Sequence, residues 1–262
     1  QGGLILAVPS RKLAEKGGIG AAVRRVEDRR LLTGKGCYTD DLNVRGQAYA
    51  VFVRSHDAHA RIRSVDVSGA VHMPGVIAVL TATDLRADGI GPLDARGNPK
   101  DVELKNRDGR PIFYPGIDLL AGDKVRRVGE AIAMVVAETV AQALDAAEQV
   151  RVSADPLPSV VDPVQALEPK MPRLWDDQPD NLCVDDQKGD PGAVASAIAG
   201  AAHVVRLEFV NNRVSGVPME PRAAIGTYDP ECGTYTLQAG GQGVNRFQRE
   251  LSTAFGLPDT AF

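Results

Sequence analysis

The sequence predicts a mixed α/β (α+β) architecture, on three observations. Short β-branched or alternating runs recur between Ala48 and Glu138, each closed by Ser, Gly, Pro or Asp. A capping signal at Thr139 then opens an amphipathic helix, and the chain returns to strand character at residues 150–153. Five prolines in residues 155–177 fix φ and delete ladder donors, so a boundary between two domains is expected there.

Taken in order, AYAVFVRS (48–55), ARIRSVDVS (60–68) and GVIAVLTATDL (75–85) each read as a strand, with MPGV (73–76) supplying the turn before the third. DARGNPKD (94–101) is a polar loop. KVRRVGEAIAMVVAE (124–138) reads as one strand whose centre is apolar on both faces, which places it inside a sheet. Thr139 and Gln142 have capping-box spacing. The helix they open carries Val140, Ala143, Leu144, Ala147 and Val150 as one stripe facing that sheet. Asp190 and Pro191 start a second helix through ASAIAGAA (195–202), and HVVRLEFV (203–210) follows as a strand. AIGTYD-PECG-TYTLQAG (224–240) is a hairpin whose Gly233 takes positive φ. Val244, Phe247, Leu251, Ala254 and Phe255 then have helical spacing, stopped by Gly256 and Pro258.

With 262 residues, 44% hydrophobic and 24% charged, the chain has the composition of a soluble globular protein able to bury a core. A net charge of −4 gives no general attraction to nucleic acid or to an anionic membrane. The apolar runs are far shorter than a membrane span needs, and AIAMVV (131–136) is among the longest. The apolar LILAVPS (4–10) lacks the charged lead-in and cleavage pattern of a secretory signal, and reads as an N-terminal arm over residues 1–18. Cys37, Cys183 and Cys232 are widely spaced and form no C-x-x-C pair, as expected of structural thiols in a reducing, cytoplasmic setting.

Most local motifs have plain readings. GGIGAAV (17–23) has Val23 where a dinucleotide-binding fingerprint requires glycine, and reads as flexible arm. His56 and His59 lack accompanying ligands and read as a turn whose imidazoles bond to backbone; no protein metal ligand is expected. RVEDRR (25–30) is a solvated charge run or an interface arm. In VPMEPR (217–222), two prolines stiffen a loop around Glu220, which reads as an ion-pair partner of Arg222 or Arg213.

AGGQGVNRF (239–247) is the informative stretch: it puts Gln242 on a glycine turn between a strand and a helix start. One reading is a bare turn with a solvent-facing amide. A second is a peptidyl-tRNA hydrolysing loop, since GGQGVN is similar to the release-factor motif; the acidic balance weighs against it, because such a domain needs a basic surface. A third is a loop that presents Gln242 to a bound cofactor.

The third reading draws on resemblance over almost the whole chain. RRVEDRRLLTGKGCYTDDL (24–42), the run from Phe52 to Leu85, the run from Lys124 to Val150, DPLPSVVDPVQAL (155–167), VPMEPRAAIGTYD (217–229) and TLQAGGQGVNRFQRELSTAFGLP (236–258) come in one order. That order resembles the front of the molybdopterin-carrying large subunit of the xanthine dehydrogenase, aldehyde oxidase and carbon monoxide dehydrogenase family. The resemblance implies an α/β hammerhead domain over residues 19–165, then the first part of a molybdenum-cofactor-binding domain over 166–262, which reads as incomplete.

It further implies that Gln242 stands where a family glutamine hydrogen-bonds the molybdenum oxo group, flanked by Gly241 and Gly243, with Gly240-Gly241 replacing the family's usual Ser-Thr. The VPMEPR loop then shapes the pocket wall. The implied cofactor is molybdopterin, in its cytosine dinucleotide form, with Mo held by the pterin dithiolene. The implied partners are the remaining large-subunit polypeptide, which carries the catalytic glutamate, an iron-sulfur subunit with [2Fe-2S] centres, and an FAD subunit. The complete enzyme would oxidise an N-heterocycle, an aldehyde or CO. The alternative is a non-catalytic hammerhead module kept for assembly.

Overall fold

The computed structural model describes residues 23–94 and 103–262. The arm over 1–18, most of GGIGAAV and most of the polar loop at 94–101 lie outside the described residues. The chain divides into two compact units. One comprises the residues up to Leu42, Pro218–Ile225 and Gln238–Gly240; the other comprises Asn43–Val217, Gly226–Leu237 and Gly241–Phe262.

The larger unit is built on two three-stranded antiparallel sheets. In the first, β1 (Tyr49–Arg54) and β3 (Val76–Thr81) flank β5 (Ala131–Ala137); in the second, β4 (Lys124–Val125) and β6 (Arg151–Pro156) flank β2 (Ala60–Asp66). The central strand β5 faces apolar neighbours on both sides, as its sequence predicts. Ile132 joins Ala60, Ile62 and Val125 in one core cluster, while Ala133 and Val135 join Ala146 and Val150 in another. Alternate side chains of a strand point to opposite faces, so a strand buried twice has no polar face left to show.

The expected single strand over 124–138 is two strands in two different sheets. Gly129 takes φ +80, and Glu130, nearly buried, accepts from the Arg126 N–H at 2.6 Å, so the chain turns between β4 and β5. That conformation favours glycine, which lets the segment change sheet. Likewise TATDL does not extend β3. Thr81 and Asp84 form a reciprocal capping box, with the Thr81 N–H donating to Asp84 Oδ2 at 2.7 Å, and α2 (Ala82–Ala87) begins.

The helix α3 (Val140–Ala147) starts at Thr139, as expected, and packs on β1 and β5. The capping box there is half formed: Thr139 Oγ1 accepts from the Gln142 N–H at 3.2 Å, but Gln142 Oε1 accepts from the Thr139 hydroxyl at 2.9 Å instead of from the Thr139 N–H. The buried face differs from the expected stripe too. Ala143 and Ala146 are fully buried, whereas Val140 and Leu144 remain 47% and 51% exposed. Two alanines let the helix axis come close to the sheet, and close approach selects the small residues over the large ones.

Beyond the prolines, residues 172–187 run back along the same unit. Lys124, buried in β4, donates to Asp176 at 2.8 Å; Trp175 packs edge-on against Phe113; and the Asp185 N–H donates to Asn106 Oδ1 at 2.7 Å. The helix α4 (Pro191–Ala199) is capped by Asp190, which accepts from the Ala193 N–H, as expected. The expected strand at 203–210 is not formed: those residues have no ladder partner among the described residues. The hairpin of β7 (Ala224–Asp229) and β8 (Thr234–Ala239) turns at Gly233 with φ +69, as read from the sequence. The final helix, α5 (Val244–Phe255), ends at Gly256 with φ +64. Within the larger unit it is tied to Gly91, whose N–H donates to Ala254 O at 2.7 Å.

Candidate functional site

Gln242 sits on the turn into α5, with an exposed carboxamide and no hydrogen-bond partner among the described residues. Its neighbours explain why only glycine serves beside it. A Cβ on Gly241 would lie 2.4 Å from Cζ of Phe247, so the backbone can pass over that ring only without a side chain. Gly243 adopts φ +88 and is the N-cap residue of α5, without any side-chain cap. Its carbonyl accepts from the Arg246 and Phe247 N–H groups at 2.9 and 3.2 Å. The N–H groups of Val244 and Asn245 have no acceptor among the described residues. A helix start leaves such donors open, and its dipole favours electron-rich partners.

The turn therefore offers a neutral amide and uncapped backbone donors, on glycines that keep bulk out of the way. That donor set fits the oxygen atoms and anionic tail of a molybdopterin cofactor. A cation has little to bind here, since no acidic side chain joins the turn in this unit, and no group of His, Cys, Asp or Glu with metal-ligand geometry occurs among the described residues.

In the other unit, Glu220 lies against Gly240, its Oε1 3.3 Å from where a Gly240 Cβ would stand. It forms no ion pair with Arg222 or Arg213, contrary to the plain expectation for VPMEPR. Glu220 thus contacts a backbone that has no side chain to keep it away, a proximity that no local pattern in the sequence announces.

The remaining candidates resolve plainly. His59 is buried and its Nδ1–H donates to Pro158 O at 2.7 Å, as expected of a structural imidazole, while His56 is exposed. Cys37 and Cys232 are exposed rather than buried; Cys183 is half-buried, and desolvation pushes its thiol up from the ordinary value. Arg25 pairs with Asp28 at 3.0 Å and Arg30 with Glu27 at 2.8 Å, so the charge run is a solvated face around α1 (Asp28–Leu32). A cavity of about 300 Å³ opens between α2 and residues 118–123. Desolvation pushes the Asp118 carboxyl on its wall up, with Arg126 opposing. Periodicity did not reveal this cavity, because its walls come from segments far apart in sequence.

Comparison with known proteins gives this geometry a family. Residues 33–158 match the model of the aldehyde oxidase and xanthine dehydrogenase a/b hammerhead domain, and residues 174–261 match that of the molybdopterin cofactor-binding domain. The nicotine 6-hydroxylase large subunit of Paenarthrobacter nicotinovorans is 38% identical, over 80% of this chain and 24% of its own length. The carbon monoxide dehydrogenase large chain of Afipia carboxidovorans is 35% identical, over 92% of this chain and 29% of its own. Quinoline 2-oxidoreductase of Pseudomonas putida 86 superimposes with a TM-score of 0.76 at 32% identity, covering 91% of this chain and 29% of that one. The chain thus spans less than a third of the length of these relatives. The order of the two matched regions, the two antiparallel sheets ahead of the proline-rich stretch and the glycine turn into α5 agree with one another: the chain belongs to the aldehyde oxidase and xanthine dehydrogenase family of molybdenum hydroxylases, and carries its hammerhead domain followed by molybdopterin-domain sequence.

Proposed function

We propose that this chain is the front part of the large subunit of a molybdenum hydroxylase, whose complete form oxidises an N-heterocycle, an aldehyde or CO with oxygen derived from water. Among the relatives, one is named for nicotine, one for carbon monoxide and one for quinoline, which supports this range of small substrates. Residues 19–165 form the hammerhead domain and residues 166–262 open the cofactor domain; the interval 159–173 left between the two family matches supports a boundary there. When bound, the molybdopterin cofactor, in its cytosine dinucleotide form, supplies the two-electron oxidation. Electrons leave through [2Fe-2S] centres and FAD on partner subunits, in the cytoplasm.

The chain's own part is to bind and orient. Gln242 directs its amide N–H groups at the cofactor, and a neutral donor does this without altering the charge of the site. Gly241 keeps the strand exit narrow, and Gly243 leaves the first N–H groups of α5 open beside Gln242. The carrying observation is the bare glycine turn that leaves the Gln242 carboxamide and two helix-start donors without protein partners.

Gln242→Ala tests this in the native complex. Loss of one hydrogen bond in a dry site costs about 1–3 kcal/mol, so turnover should fall roughly 5- to 150-fold, with an altered molybdenum electron-paramagnetic-resonance signal. Unchanged activity and an unchanged signal would leave the rival, a non-catalytic assembly module, as the better description.

A further inference from the structure

The helix α4 and the segment after it contradict the chemistry of a finished surface. PGAVASAIA is apolar nearly all round, yet every residue of α4 is exposed, and it makes no extensive packing with another helix or strand among the described residues. A helix with apolar residues on all sides belongs in an interior. At 9 residues it is also shorter than an isolated helix can sustain in water.

Residues 203–210 alternate. Val205, Leu207 and Phe209 make one wholly apolar face, exposed by 91%, 78% and 78%, while Arg206 and Glu208 interrupt the other between Val204 and Val210. That is the pattern of a strand with one buried side. No backbone N–H or C=O between residues 203 and 217 has a hydrogen-bond partner among the described residues. The sequence thus specifies a strand for which the described residues provide neither a neighbouring strand nor a covering layer.

We propose that α4 and residues 203–210 form the surface on which the remaining portion of the large subunit docks, adding a β-strand along 203–210 and burying α4 beneath its own elements. The proposal rests on the functional reading above. The occupant follows from two facts. The relatives carry more than twice as much chain again as the part matched here, and the exposed surface falls inside the region matched by the cofactor-domain model. A second copy of this chain is the competing occupant, and the last outcome of the test below separates it from the proposal. Strand addition joins the partner through main-chain hydrogen bonds, and the pockets for Val205, Leu207 and Phe209 set the register.

The test is amide hydrogen exchange on the native molybdenum-containing preparation and on the chain expressed alone. In the native preparation, amides within 204–210 and in α4 should exchange at least 100-fold more slowly than in the isolated chain, where both should exchange nearly as fast as unstructured peptide. The double substitution Leu207→Lys with Phe209→Lys should abolish that protection, and Arg206→Ser with Glu208→Ser should retain it. Protection of the hammerhead strands in both variants shows that the fold survived. If the native preparation holds molybdenum but 204–210 exchanges freely, the docking surface is wrong and the functional reading stands. If the segment is protected but no molybdenum is present, the functional reading falls and the surface stands. Protection in the isolated chain, with a dimer mass by light scattering, would assign the face to self-association and overturn the proposal.

Discussion

Gly241 is the residue on which the candidate site turns. With the Phe247 ring only 2.4 Å from where its Cβ would be, any side chain must push either the ring or the strand exit aside. Forcing a methyl group into such a contact costs about 1–3 kcal/mol. Gly241→Ala should therefore lower the melting temperature of the chain by several degrees, and in the complete complex it should weaken cofactor retention as well; an unchanged melting curve would show that Phe247 simply rotates away. Gly243 is constrained differently, through φ +88 rather than through a neighbour. The two glycines beside Gln242 were legible as a turn, but the reason for the first lies on a ring about one turn into the helix. Glu220 against Gly240 belongs to the same class: the residues were visible in the sequence, their proximity was not.

At the scale of elements, capping decides where strands stop. Thr81 and Asp84 end β3 and start α2, and the Thr81 O–H and N–H hydrogen bonds hold the Asp84 carboxyl below the usual carboxylate range. A group with a lowered folded pKa adds stability above its unfolded value and loses it as pH falls through the folded one. The difference in melting temperature between wild type and Asp84→Asn should accordingly be present at neutral pH, shrink below about pH 4 and vanish in stronger acid. A constant difference across that range would mean that the amide and the carboxylate cap equally well. The sequence showed T-x-x-Q at Thr139 plainly and hid T-x-x-D at Thr81 inside an apolar run. Both are caps, but only the second closes the reciprocal box, because Gln142 Oε1 accepts from the Thr139 hydroxyl at 2.9 Å rather than from the Thr139 backbone N–H. Which face α3 buries was likewise undecided by periodicity, since Ala143 and Ala146 lie within one turn of the larger Val140 and Leu144.

At the scale of the larger unit, the stretch after the prolines packs on the hammerhead's surface. Trp175 lies 5.4 Å from the Phe113 ring and beneath the Arg126 guanidinium, whose Nε donates to Leu174 O at 3.2 Å. Trp175→Ala removes this half-buried anchor and should cost about 1–3 kcal/mol, less than a fully buried tryptophan. Brief trypsin treatment should then cut at Arg173 and Lys188 well before the hammerhead is digested; resistance equal to wild type would show that Lys124–Asp176 and Asn106–Asp185 hold the stretch unaided. By itself the sequence determined that strands, hairpin and helices exist roughly where they do, because alternation, caps and glycines act within a few residues. It also determined the resemblance that names the family. Only the tertiary structure decided that residues 124–137 divide between two sheets, that α3 turns its alanines inward, and that 203–210 finds no partner among the described residues. Those outcomes depend on which segments meet across long stretches of chain, and a strand's backbone is satisfied by a neighbour that its own residues do not specify.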